Sequence, residues 1–424
     1  MSTRVIEVRI WGHLVGAVAP DPSLGVYLFE YDPDWRKLGI ELAPLLMPTR
    51  GDRTVFGFQG LGASFMGLPG MLVDALPDDF GNGLIDAWMA AHGVAKSSIT
   101  PLDRLAYMGR RGMGALEFRP ARGSSSESQR PLEMQALVEA ARGVLKGDLA
   151  GDTHAQAALA SIIRVGTSAG GARAKAVLAW NPRTQEIRSG QFEVADGFEH
   201  WLLKFDGVGR DLELGTTADY GRIEFAYHLL AGHAGVAMAP CRLLEENGRA
   251  HFMTRRFDRD GSSKHHVQSL CALLHLDYRQ RATHAYEQLF MAISELGLGD
   301  PALVQAFRRM SLNVMARNCD DHTKNIAFLL KQGGGWELAP AYDLTHAYNP
   351  KGEWTYQHLM SVNGRFDGIR REDLLAVADR FGVPGAKAIL GEVGQALVRW
   401  PECAHQAGVP PEREREIAAD FRPV

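Results

Sequence analysis

The stretch RVGTSAGGARAKAVLAW, Arg164 to Trp180, carries two incompatible readings, and the choice between them decides the fold. Gly166-Thr167-Ser168-Ala169-Gly170 matches the G-x-S-x-G of a hydrolase nucleophile elbow, where a serine sits on a sharp turn between a strand and a helix. The same glycines run on towards Lys175, as in a loop whose backbone N–H groups cradle phosphate. The next residues, AKAVLAWNPRTQ, form a short β-prone run closed by an Asn-Pro turn, so the pattern is strand, loop, strand and the elbow fails. A Walker A loop fails as well, because Gly170-Gly171 leads into Ala172-Arg173 with no Gly-Lys-Ser/Thr behind it. What remains is a Gly-rich hairpin, either a phosphate cradle with Lys175 as its point charge or a plain surface loop. Its neighbours decide between the two.

Phosphoryl transfer of the kinase kind needs a strand lysine after the Gly-rich loop, a helix glutamate to orient it, and a catalytic loop with Asp and Asn five residues apart. A further metal-binding Asp must lie beyond them. In that order the chain offers Lys204 in HWLLKFD, Glu224 in an amphipathic helix, Asp320 and Asn325 in NCDDHTKN, and Asp343 in LAPAYDLTHAY. Each element alone is weak: a D-x-x-x-x-N arises by chance about once in a chain of this size. Lys204 could be a surface lysine, Glu224 a solvated charge and Asp320-Asp321 a helix cap. Five features in the right order and on the right element types favour the kinase reading.

Outward from this centre, IEVRI and the residues after Trp11-Gly12 read as an opening hairpin, with Ile6, Val8 and Ile10 on one face. PARGSSSESQRPLE has the composition of a solvated linker, which places a boundary near Pro120. EMQALVEAARGVLKG reads as a helix; ASIIRV, KAVLAW, IRSGQFEVA and EHWLLKFD read as strands. TTADYGRIEFAYHLLAGHAG puts Ile223, Ala226, Tyr227 and Leu230 on one helical face, with Thr217 or Asp219 as N-cap. Asn247-Gly248 marks a hairpin, and from about residue 258 the pattern is mainly helical, with Val304, Phe307, Ser311, Val314 and Met315 on a core-facing stripe. The division expected is residues 1–120, 121–257 and 258–424.

Composition bounds the function. A net charge of -4 leaves no excess of Lys and Arg for autonomous nucleic-acid binding. With no run of 18 apolar residues and an alternating strand pattern at the start, a cytoplasmic protein without a membrane partner is expected. Cys241, Cys271, Cys319 and Cys403 are dispersed and read as free thiols. His265, His266, Cys271 and His275 in HHVQSLCALLHLD lack a second close ligand pair for zinc, and the segment reads as an apolar helix.

At these residues the chain resembles a HipA-type serine/threonine kinase, the toxin half of a bacterial toxin–antitoxin pair. The likeness covers most of the chain: the opening hairpin, LVDALPDDFGNGLID, MGRRGMGALEF, SAGGARAKA, LLKFD, RRFDR, DDHTKNIAF and APAYDLTHA. It implies an α+β, protein-kinase-like two-lobed fold, with an N-terminal β-containing coupling subdomain and a mainly α-helical C-terminal lobe. It implies ATP and Mg²⁺ as cofactors, with Gly170, Gly171, Ala172, Arg173, Ala174 and Lys175 over the phosphates, Lys204 holding them and Glu224 orienting Lys204. Arg255, Arg256 and Phe257 would form the adenine hinge, and His322, Lys324 and Tyr342 would lie near the nucleotide. Asp320 would be the catalytic base, Asn325 and Asp343 the metal ligands, and Ser168 the autophosphorylated residue, with Thr167 as a second acceptor. The expected partners are a HipB-like helix-turn-helix antitoxin, operator DNA through that antitoxin, and a protein substrate among translation components such as an aminoacyl-tRNA synthetase.

Three positions depart from the best-known member: Arg255 replaces an acidic hinge residue, Asp321 a glycine and Ala174 an acidic residue. Arg255 cannot accept a hydrogen bond with its side chain, so a base there must meet backbone groups. Other readings stay open. A small-molecule phosphotransferase would use the same Asp and Asn, a silent co-repressor would bind only its antitoxin, and a hydrolase would draw on Ser168, Asp343 and His346 or His358.

Overall fold

A computed structural model describes residues 4–77, 79–122, 132–146, 174–191, 194–208 and 219–424. The fold is α+β and two-lobed, with an additional β-containing region at the N-terminus. The Gly-rich segment through Arg173, including Thr167 and Ser168, and the strand expected at ASIIRV lie outside the described residues, as does Thr217.

The N-terminal region is a five-stranded sheet in the order β4-β3-β2-β1-β5. Its strands are β1 (Ile6–Ile10), β2 (His13–Asp21), β3 (Val26–Tyr31), β4 (Val55–Phe56) and β5 (Glu117–Arg119). The opening hairpin turns at Trp11-Gly12, and Ile6, Val8 and Ile10 point into the core, as their alternation requires.

A second five-stranded sheet follows, in the order β7-β6-β8-β10-β9. It contains β6 (Lys175–Trp180), β7 (Ile187–Ser189), β8 (Glu199–Lys204), β9 (Cys241–Glu246) and β10 (Arg249–Arg255). All of β6 is buried, which is why KAVLAW reads as a continuous apolar run. β9 and β10 turn at Asn247-Gly248, both in the left-handed region (φ 46° and 77°), as a two-residue hairpin demands.

The helix Tyr220–His233 packs on this sheet. Asp219 does precede it, but in a left-handed conformation with no side-chain capping bond, so the expected cap is made by position only. At Gly221 a Cβ would stand 1.9 Å from the carbonyl oxygen of Ala250 on β10; glycine lets the helix approach that closely.

Beyond residue 258 the chain is mostly helical, and Phe307, Ser311, Val314 and Met315 are buried on the helix Gly299–Met315. One expectation needs correction. The HHVQSLCALLHLD segment is a strand, His266–Ser269, followed by a short helix, Leu270–Leu274. That strand joins Ala327–Leu330 and Trp336–Leu338 in a three-stranded sheet inside the helical half. Strands of three or four residues that are largely buried show no alternation, so periodicity cannot separate them from helix. Among the described residues no helix is long and apolar enough to cross a membrane.

Candidate active site

Glu224 lies on the buried face of the helix Tyr220–His233, beside Ile223, Ala226 and Tyr227. A carboxylate there is costly unless paired, and its partner is Lys204 at the end of β8, whose Nζ donates to Glu224 Oε1. The same ammonium donates to Asp343 Oδ1, so a single cation bridges carboxylates from the helix and from the C-terminal half. Burial alone would lower the Lys204 pKa, but Asp343 and Glu224 raise it above the ordinary lysine value. For Asp343, burial opposes ionisation, and Lys204, Lys175 and His322 together hold the carboxyl below the usual range. Asp343 itself has a left-handed backbone (φ 54°), uncommon for a residue with a Cβ.

Lys175 opens β6 directly opposite Lys204 and is buried, with Ala174 buried beside it. Lys175 thus joins Lys204 in favouring the ionised form of Asp343.

A cleft opens beside these groups. Glu224, Arg255, Arg256, Phe257, Lys324, Asn325, Tyr342 and Asp343 line it, eight of the thirteen described residues singled out from the sequence for this site. Phe257 and Tyr342 place their rings 5.9 Å apart, and the Tyr342 hydroxyl donates to the Lys324 carbonyl at 2.7 Å. The hinge segment differs from a simple adenine edge. The Arg255 and Arg256 N–H groups already donate to the carbonyls of Pro240 and His200, both at 2.9 Å. The Arg256 guanidinium is held in a bidentate pair by Asp258, at 2.9 and 2.6 Å, and Arg255 turns towards Glu199.

Asp320 and Asn325 share one loop, where Asn325 Nδ2 donates to the Asp320 carbonyl at 2.8 Å. The Asp320 side chain is 48% exposed and lies 3.9 Å from His322 Nε2. Asp321, next to it, is buried and accepts Tyr286 OH, His358 Nδ1–H and Leu359 N–H, each at 2.8 Å. Of the two adjacent aspartates, only Asp320 presents its carboxylate outwards.

Of the hydrolase arrangement, Ser168 lies outside the described residues, and the described acid and histidines are engaged elsewhere. Asp343 is engaged by Lys204, His346 pairs with Asp420, and His358 pairs with Asp321. The histidines once considered for zinc have separate partners: His266 Nε2 meets the Leu42 carbonyl and His275 Nε2 accepts the Gly70 N–H. Among the described residues no group of three or more His, Cys, Asp or Glu is placed to hold a metal on its own.

The sequence reading missed Asp74 and Met113, both from the N-terminal region and both lining the cleft. Asp74 accepts the Ser269 hydroxyl at 2.9 Å across 195 residues of sequence. Met113 is carried by a loop whose Gly114 N–H donates to Asp258 at 2.8 Å. Both residues sit in stretches that carry the family resemblance, but no local spacing signals a contact so distant.

Two family models match. The HipA N-terminal domain covers residues 6–119 and the HipA-like C-terminal domain residues 167–401, more than half of the chain in the second match alone. The chain belongs to the HipA family. Among solved structures, it is similar to the HipA of Shewanella oneidensis MR-1, determined as a toxin–antitoxin complex of HipA, HipB and operator DNA. The identity is 20%, the TM-score 0.69, and the match covers 98% of this chain and 94% of that one. At that identity the likeness establishes the fold. The Helicobacter pylori proinflammatory kinase CtkA matches at 11% identity and TM-score 0.37, over 59% of this chain and 90% of that one, a superposition that carries no weight. No curated protein matches. In this HipA-family chain, Lys204, Glu224, Asn325 and Asp343 fall within the C-terminal domain match, and Asp74 and Met113 within the N-terminal one.

Proposed function

We propose that this HipA-family chain is an ATP-dependent protein serine/threonine kinase, the toxin of a type II toxin–antitoxin pair. The observation that carries the reading is the Lys204 ammonium bridging Glu224 and Asp343 beside a cleft that also contains Asn325. A buried lysine fixed between two carboxylates is a preorganised cation for phosphate oxygens, since it needs no reorientation when the anion arrives.

The residues present fit a nucleotide and Mg²⁺. A magnesium ion is commonly held by one or two carboxylates, with phosphate oxygens completing its shell. Asp343 and Asn325, which line the cleft, would supply one carboxylate and one amide oxygen. A cation held there would neutralise charge on the transferring phosphoryl group. Lys204 and Lys175 hold the phosphates, Phe257 and Tyr342 flank the base, and Asp320 takes the proton of the attacking hydroxyl. The exposure of Asp320 suits a hydroxyl on another macromolecule or on another segment of this chain.

Ser168, in the Gly-rich segment, is the proposed autophosphorylation site. A phosphate there adds close to two negative charges at pH 7 and opposes a loop lying over ATP phosphates. A HipB-like helix-turn-helix antitoxin is the proposed partner, carrying the complex to operator DNA that this acidic chain would not bind alone. The substrate is proposed to be a translation component, and the division into residues 1–120, 121–257 and 258–424 to be a coupling region and two kinase lobes.

The test is intact-mass and phosphopeptide analysis after incubation with Mg-ATP, beside an Asp320→Asn control. Phosphate on Ser168 in the wild type and none in the control is expected. Binding of Mg-ATP with no phosphate gained by this chain or by any protein in a translation extract would overturn the kinase reading.

A further inference from the structure

Asp321 sits beside the proposed base, yet its own carboxylate faces away from solvent and is fully occupied. Oδ2 accepts Tyr286 OH and His358 Nδ1–H, and Oδ1 accepts Leu359 N–H. The bonding continues beyond Tyr286. Asn313 Nδ2 donates to the Tyr286 oxygen at 2.9 Å, and Asn318 Nδ2 donates to Asn313 Oδ1 at 3.0 Å. Asn318 Nδ2 also makes a longer 3.5 Å contact with the backbone carbonyl of Asp343. At the other end, His358 Nε2 lies 3.9 Å from Cys319 Sγ. Every one of these side chains is buried.

The chain of bonds therefore begins at the residue after Asp320 and ends at the backbone of Asp343. These are the two groups whose separation matters most for transfer: one takes the hydroxyl proton, the other holds the metal. A buried polar network is costly where an atom is left without a partner, as Asn318 Oδ1 is among the described residues, and well-packed apolar residues would stabilise such a core at least as well. Its retention beside the site calls for a use other than stability. Burial would depress His358, but Asp321 and Cys319 raise its pKa to about 10, so the imidazolium is the form present at neutral pH.

We infer that Asp321 and His358, with Tyr286, Asn313 and Asn318, are positioning residues that fix the Asp320 loop against Asp343. The inference rests on the kinase reading above. The physical link is the Asp320–Asp321 peptide. With the Asp321 carboxylate bonded to the helix Tyr286–Glu295 and to the segment around His358, that peptide cannot rotate independently, and a displacement of about 1 Å at a reacting group costs roughly a hundredfold in rate. None of the five residues lines the nucleotide cleft, so binding and turnover should respond differently.

The experiment uses the full chain and measures the rate constant of phosphotransfer and the Kd of Mg-ATP for wild type, His358→Phe, Tyr286→Phe and the double variant Asp321→Asn/His358→Gln. His358→Phe leaves Asp321 buried without a counter-charge and should lower the rate about a hundredfold, with Kd changed less than twofold. Tyr286→Phe removes one donor and should lower the rate about tenfold. The double variant removes both charges and lets the two introduced amides pair with each other, and should recover at least tenfold over His358→Phe. Wild-type rates in folded His358→Phe, equal losses in Kd and rate, or no recovery in the double variant would each overturn the inference while leaving the kinase reading intact. Loss of folding in all three variants would assign the network to stability alone and overturn it too. Absence of phosphotransfer in the wild type would instead remove the kinase reading, and this role with it.

Discussion

Lys204 is where the charges of the site meet, and its removal has two separable consequences. Without the ammonium, Glu224 and Asp343 face each other in a low-dielectric setting, and the largest of the influences that depress Asp343 is lost. Phosphate oxygens also lose a charge-assisted partner worth about 1.5–3 kcal/mol, or roughly 10–150-fold in affinity. Lys204→Met is therefore expected to raise the Kd for Mg-ATP by at least about tenfold and to abolish phosphotransfer. Glu224→Gln keeps the lysine in place with a neutral acceptor and should reduce turnover more than affinity. Calorimetric titration with Mg-ATP, in parallel with a phosphotransfer assay, measures both. Similar affinities for wild type and Lys204→Met would show that the lysine serves the fold alone. At this scale the sequence was most informative for residues that fall into an ordered set of motifs. The kinase-type order of motifs pairs Lys204 with Glu224, and in the structure the Lys204 ammonium donates to that carboxylate. Asp321 could not be read in this way, because an aspartate doublet looks the same whether its second member is a cap, a base or a buried anchor.

Among elements, the run Arg255-Arg256-Phe257-Asp258-Arg259 links β10 to the loop carrying Met113. Asp258 is fully buried, binds Arg256 and Arg259 and accepts the Gly114 N–H, while Arg259 donates to the carbonyls of Gly114 and Gly112. Burial opposes ionisation of Asp258, but the two guanidinium groups hold its carboxyl far below the usual range. Removing the carboxylate leaves two buried cations unpaired, so Asp258→Ala should destabilise the fold by about 3–5 kcal/mol. Urea unfolding measures this, and a change under about 1 kcal/mol would mean that water or a rearranged acceptor replaces Asp258. The hinge-like role of Arg255 to Phe257 and the clasp by Asp258 are contiguous in sequence, yet only the motif RRFDR was visible there. Which residue faces the cleft and which is consumed internally depends on partners near position 114. The short strand His266–Ser269 escaped the sequence reading for a related reason: its pairing partner, Ala327–Leu330, lies some sixty residues on.

For the whole molecule, the N-terminal region is built into the body of the chain. Its hydrophobic core includes Cys271 and Leu330 from the C-terminal half, and Phe80 and Leu84 of the helix Asp79–Ala91 pack instead with β6 and β8. Part of the seam depends on protonation. His275 Nε2 accepts the Gly70 N–H at 2.9 Å, which only a neutral imidazole can do, and a Cβ at Gly70 would stand 2.3 Å from the Ala272 carbonyl oxygen, so the two segments are in close contact. Burial lowers the His275 pKa to about 4, and likewise that of His266, which meets Leu42 across the same seam. A histidine whose pKa is lower folded than unfolded contributes stability above its unfolded value near 6.5, and loses that contribution as pH falls towards 4, because the unfolded chain takes up the proton first. Acidification from pH 7.5 to 5 should therefore weaken this seam before the cores on either side of it. Hydrogen exchange, corrected for the intrinsic effect of pH, should show protection lost at Gly70–Val73 and Leu270–Leu274 while the helix Gly299–Met315 stays protected. His275→Gln keeps an acceptor that does not titrate in this range, and should remove much of the pH dependence at Gly70. Equal loss of protection in wild type and His275→Gln would show that the seam is not gated by this imidazole.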